Sequence, residues 1–189
     1  MKILMTPAAS LREPSQKIGE ITPAIKKLAD EMIKLSLEWE DEHPHEISSA
    51  LAAPQVGENV RMIVVRNNSE DKSDKEFTAL INPRVVSESG RLITDWEGCL
   101  SVPALYGKVA RRDSVKVAAT LLDGTEVKIK ADGHLARTML HEIDHLNGVL
   151  FVDKIRGKKK SFARLHTEDG ALVPVDYAEI ADDADLWGD

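Results

Sequence analysis

Gly133-His134-Leu135-Ala136-Arg137-Thr138-Met139-Leu140-His141-Glu142-Ile143-Asp144-His145-Leu146-Asn147 reads as one helix, and its second half matches the pattern H-E-x-x-H. Residues four apart project from the same helical face about one turn from each other. His141 and His145 can therefore bind one metal ion while Glu142 stays free as a base. The other reading of the pentapeptide is a charged helix face carrying two solvated histidines. A third ligand decides between them.

Only one cysteine is present among the 189 residues, Cys99 in Trp96-Glu97-Gly98-Cys99-Leu100-Ser101-Val102-Pro103, placed in a loop between strands. Its thiolate would complete a Cys-His-His set, and three protein ligands with one open position mark a catalytic rather than a structural site. The alternative for a lone cysteine is an inert buried side chain. A single cysteine also excludes an intrachain disulfide and any structural zinc site built from several thiolates, which fits a reducing compartment.

Outward from the helix the chain reads as α+β. Thr22 caps and Pro23 opens a helix running to about Asp41, with Ile25, Leu28, Ala29, Met32, Ser36 and Trp39 or Glu40 on its inner face. Strands are expected at Arg61 to Arg66, Phe77 to Asn82 with Pro83 ending it, Arg84 to Glu88, Ser114 to Leu121, Glu126 to Ala131 and Val149 to Ile155. Asp123-Gly124 is a hairpin signal, so the sheet should be mainly antiparallel. Met1 to Ile21 reads as an irregular arm with one helical turn. Gly157 to Lys160 reads as a basic turn, and the acidic stretch from Glu168 to Asp189 as partly disordered. His43 and His45 fall in a polar loop without ligand spacing.

Composition narrows the class further. The chain is 42% hydrophobic and 30% charged, ordinary for a single globular domain spanning 1–189, with its core at about 1–155. A net charge of -7 argues against DNA or membrane surfaces as the main partner. No apolar run approaches the roughly 20 residues of a membrane span, and the N-terminus lacks a signal peptide's apolar block. A cytoplasmic protein is expected.

Three motifs, Leu51-Ala52-Ala53-Pro54-Gln55, Glu97-Gly98-Cys99-Leu100-Ser101 and His141-Glu142-Ile143-Asp144-His145-Leu146, occur in the order and spacing of the peptide deformylase family, which this chain resembles to about Ile155. Leu105 to Val109 and Ala131-Asp132-Gly133 add to the likeness. The resemblance implies mainly antiparallel sheets around a central metal-binding helix. It also implies a hydrolase that removes the formyl group from N-formylmethionyl ends of nascent peptides, which makes Lys158-Lys159-Lys160 a candidate contact for ribosomal RNA, with a solvated basic turn as the alternative.

By the same resemblance Cys99, His141 and His145 hold the ion, Fe(II) in the cell and replaceable by nickel, cobalt or zinc. Glu142 moves the proton from water to the departing amine, and Gln55 and the Leu100 backbone N–H donate to the formyl oxygen. Glu97 is expected to pair with Arg111 or Arg112, and Asp144 to orient His145 or a neighbour. A HExxH protease would take His or Glu as its third ligand. A non-catalytic peptide- or ribosome-binding relative would have no use for the base.

The chain departs from the family in two places. Ser48-Ser49-Ala50 stands where the family has glycine, an apolar residue and glycine, and Leu140 stands where it usually has glutamine. His134 precedes His141 by seven residues and is expected on the ligand face. Together with Ser49 and Ala50 it should line the wall that receives the first side chain. Ser48 and Ala50 would be strained if those positions needed positive φ.

Overall fold

The computed structural model describes residues 1–166 and 168–188. Helix α1 (Pro23–Glu42) starts where Thr22 Oγ1 accepts the Ile25 N–H, with Pro23 at the first helical position. The strands are β1 (Ala50–Ala52), β2 (Met62–Arg66), β3 (Phe77–Cys99), β4 (Val102–Thr120) and β5 (Glu126–Asp132). Helix α2 (Gly133–His145) follows, then β6 (Phe162–Leu165), β7 (Leu172–Pro174) and a short α3 (Ala184–Trp187). All strand pairs are antiparallel, in the order β1-β2-β3-β4-β6-β7, with β5 on β4. The α+β expectation holds.

Burial on both faces explains the continuous apolar run of β2. Met62 and Val64 pack with Leu28, Ala29 and Met32 of α1, while Ile63 and Val65 pack with Ala136, Met139, Leu140 and Ile143 of α2. Successive side chains of a strand point to opposite faces, so the two helices sandwich this end of the sheet. Leu140 is thereby a core residue, 7% exposed.

Five expectations need correction. Pro83 does not end a strand: β3 continues through it to Cys99, because the pairing passes from Ile81↔Thr120 to Arg84↔Ala118 with one extra residue. At such a bulge proline's missing N–H is tolerated. Asn82 takes the turn at φ 50° while its side chain pairs with both backbone groups of Ile18. The expected strands at 84–88 and 114–121 are parts of two long ones, and Cys99 ends β3 at the turn into β4 rather than lying in an open loop.

Val149 to Ile155 is not a strand either. Phe151–Ile155 forms a 3-10 helix that buries Phe151, Val152 and Ile155, with Asp153 accepting the Leu150 N–H. The acidic tail is ordered over its described residues. Two of its carboxylates are caps, Asp176 accepting from Ala178 N and Asp183 from Leu186 N. Val175, Ile180, Leu186 and Trp187 complete a core cluster with Leu11, Val109, Phe151 and Phe162. Leu186-Trp187 is thus a firm anchor. Thr167 and Asp189 of that stretch lie outside the described residues. Among the described residues no helix is long and apolar enough to cross a membrane.

Candidate metal centre and substrate cavity

Cys99 at the end of β3 and the histidines of α2 meet because β4 packs α2 against the turn that carries the cysteine. Sγ of Cys99 and one ring nitrogen each from His141 and His145 lie within 4.8 Å of one another. Sγ is 3.2 Å from Nε2 of His145. Metal bonds of about 2.0–2.3 Å set tetrahedral donors roughly 3.5 Å apart, so this triad needs only a small contraction to close on one ion.

Glu97 orients the set from behind. Its Oε2 lies 2.9 Å from Nδ1 of His141, which leaves Nε2 for an ion. Arg111 holds the same carboxylate at 2.5 and 2.8 Å, and Arg137 adds a third contact at 2.6 Å. Burial works against the charged carboxylate, but the hydrogen bonds from Arg111 and His141 outweigh it and hold the carboxyl well below the usual range. The pairing with Arg111 is the expected one. Arg137 was missed, although it precedes His141 by four residues on the same helical face. Asp144 does not orient His145; it accepts from Arg111 at 2.7 Å and pairs with Lys154 at 3.0 Å.

Glu142 is 5% exposed, and its Oε2 has no hydrogen-bond partner among the described residues. Burial lifts its carboxyl to about 7, against the pull of His141 and Arg111. A buried oxygen without a partner beside a three-donor set is where a reacting water fits, so the residues suit a catalytic ion. Gln55, 2% exposed, sits in a 3-10 turn (Ala53–Val56). Its Oε1 accepts from Ala52 N at 2.8 Å, and its Nε2 is aimed at Ser101 Oγ (3.2 Å) and Cys99 Sγ (3.6 Å).

A cavity of about 260 Å³ opens from this point; its lining includes Cys99, Leu100, Gln55, His141 and Glu142, and also Ser49, Ala50, Thr138 and His134, the last of them two turns before His141 on α2. Every residue expected at the site except His145 lines it; His145 lies behind at the triad. The loop 43–49 that forms one wall is anchored by a fully buried ion pair, Arg66 to Glu40 at 2.6 Å. Arg66 also donates to Ser48 O, and Glu40 accepts the Ser48 N–H. Neither Ser48 nor Ala50 has positive φ, so the anticipated strain is absent. Tyr106, which lines the cavity, donates to Glu46 Oε2 at 2.5 Å with its ring over Gly98, where a Cβ would come within 2.6 Å of the ring.

Comparison with known proteins adds the family. The model of the family described as Polypeptide deformylase matches residues 1–161. The chain belongs to the polypeptide deformylase family. A peptide deformylase of Rhodopseudomonas palustris (strain TIE-1) is 38% identical over 179 residues, 93% of this chain and 97% of the relative. Among solved structures, a peptide deformylase from Legionella pneumophila matches with TM-score 0.74 at 33% identity, covering 83% of this chain and 86% of the other. One from Synechococcus elongatus, in complex with actinonin, matches with TM-score 0.71 at 34% identity over 82% and 78%. The deformylase family is a family of metalloenzymes, and in this member the Cys99, His141 and His145 group could hold the ion.

Proposed function

We propose that this deformylase hydrolyses the N-formyl amide of nascent polypeptides in the cytoplasm, releasing formate and a free amino terminus. The observation that carries the reading is the unpartnered, buried Oε2 of Glu142 beside the Cys99, His141 and His145 donors. A non-catalytic binding relative has no use for that arrangement.

Cys99, His141 and His145 hold one divalent ion, Fe(II) in the cell with nickel, cobalt or zinc as substitutes. The ion supplies Lewis-acid activation of water and of the formyl oxygen. Glu142 takes a proton from the attacking water. As the carbon–nitrogen bond breaks, it returns that proton to the departing amine, and the second water proton leaves on formic acid, which ionises to formate in solution. Gln55 Nε2 and the Leu100 N–H donate to the formyl oxygen as it gains charge, each worth on the order of 3 kcal/mol. Glu97, fixed by two arginines, keeps His141 in the ligating orientation.

Formate release from a formylmethionyl peptide by anaerobically purified, metal-loaded protein tests the reading. Activity that is lost on chelation and blocked by actinonin is the expected result, and absence of formate release overturns it.

A further inference from the structure

The substrate cavity carries Ser49 and His134 in its lining, His134 two turns of α2 away from His141, and these polar groups are tied together. Ser49 Oγ donates to the Ser69 carbonyl at 2.7 Å, and Ser69 Oγ, on a residue 5% exposed, lies 3.1 Å from His134 Nδ1. Thr138 Oγ1 donates back to the His134 carbonyl at 3.1 Å, so its proton is already engaged. Nε2 of His134 has no hydrogen-bond partner among the described residues, and His134 lines the cavity. The ring is therefore held at one nitrogen, and the other is left free on an exposed residue of the cavity lining. Ser49 Oγ has spent its proton and retains lone pairs that can accept.

Distance selects what reaches His134. His134 precedes His141 by seven residues, about 10 Å along the helix at 1.5 Å per residue. From the formyl carbon, six bonds to the end of a glutamine side chain span roughly 7 Å, and a hydrogen bond adds about 3 Å. An unbranched side chain with a polar group four or five atoms from its α-carbon is the right length. A buried amide costs free energy unless it finds a partner, and this wall provides one.

We propose that Ser49, Ser69 and His134 form a hydrogen-bonding subsite for the first side chain, so that this enzyme accepts uncharged polar side chains of methionine's length, such as glutamine or methionine sulfoxide. His134 and Ser49 are the contacting residues; Ser69 positions them. The proposal rests on the deformylase reading and names its substrate class.

The test compares kcat/KM for formyl tripeptides differing only in the first residue, norleucine, glutamine or methionine sulfoxide, on the metal-loaded parent, His134→Phe and Ser69→Ala. In the parent the glutamine and sulfoxide peptides should reach at least about a tenth of the norleucine value. His134→Phe should lower that ratio at least about tenfold, mostly through KM. Ser69→Ala, which frees the ring without changing cavity size, should lower it in the same direction. A parent ratio below a tenth, or a ratio unmoved by His134→Phe, overturns the subsite. If even the norleucine peptide releases no formate, the deformylase reading fails and the proposal falls with it.

Discussion

Oε2 of Glu97 sits 2.9 Å from Nδ1 of His141, and both side chains are buried, so a single contact decides which imidazole nitrogen is left for an ion. Removing the carboxylate should do two things. Glu97→Ala leaves Arg111 and Arg137 as buried charges without this partner, a loss of about 3–5 kcal/mol in unfolding free energy. It also frees His141, lowering metal affinity roughly 10–100-fold. Chelator competition and denaturant unfolding measure the two separately. An unchanged metal affinity would show that the contact does not orient the ligand.

The same residue sets an acid limit. A carboxyl held below its ordinary value of about 4.3 contributes stability that is fully present above that value. The contribution is lost as pH falls through the lower folded value. Unfolding free energy should therefore drop more steeply below pH 4 in the parent than in Glu97→Gln. Parallel curves for the two proteins would contradict the pairing.

Cys99 supplies the one soft donor. With Cys99→Ala the two imidazoles remain as a two-ligand site, and stoichiometric metal should be lost on gel filtration. Elemental analysis reads the outcome directly, and one ion per chain in the variant would remove Cys99 from the ligand set.

Glu142→Gln keeps the shape of the side chain and deletes the proton acceptor. Metal content and melting temperature should hold while formate release falls at least about a hundredfold. Near-normal turnover would assign the base elsewhere.

How much of this was legible depended on whether the information was local. The H-E-x-x-H spacing, the Thr22-Pro23 start of α1 and the Asp123-Gly124 hairpin are local signals, and each stands where the sequence puts it. The Pro83 bulge was illegible because Asn82 is held there by Ile18, 64 residues away. Nothing local marks Arg137 or Arg66 as ion-paired, because their carboxylate partners, Glu97 and Glu40, lie 40 and 26 residues away. The tail reads as partly disordered because nothing local shows that Asp176 and Asp183 are caps, and its few apolar residues find partners only in the tertiary fold.

The basic turn gives a partner prediction. Lys158, Lys159 and Lys160 are exposed, on a chain of net charge -7, and Ser161 next to them ties to Lys108 of β4. If the turn touches ribosomal RNA, co-sedimentation with ribosomes should weaken with rising salt and fall further when all three become alanine. Unchanged co-sedimentation of the triple variant would retire the contact.

The tail itself makes the last prediction. Trp187 is 4% exposed, its ring 6.2 Å from Phe162 and 6.0 Å from Tyr177, and its Nε1 donates to Ile180 O at 2.6 Å. Arg12 reaches back from the N-terminal arm to the Leu186 carbonyl at 2.7 Å and to Asp153 at 2.7 Å. Phe151, in the same cluster, stacks on His141 with ring centroids 6.1 Å apart. The tail thus closes the cluster that backs the metal site, and the chain should unfold as one cooperative unit. Trp187→Ala should cost about 3–5 kcal/mol, the range for deleting a buried aromatic side chain. Because the ligands and Glu142 are untouched, kcat at low temperature should change little, while the temperature at which activity is lost falls. A frayed tail would behave otherwise: an exposed tryptophan can be removed for under about 0.5 kcal/mol. Urea unfolding followed by both fluorescence and circular dichroism discriminates the two. Coincident transitions shifted to lower urea in the variant support a docked tail, whereas an unshifted midpoint would undo it.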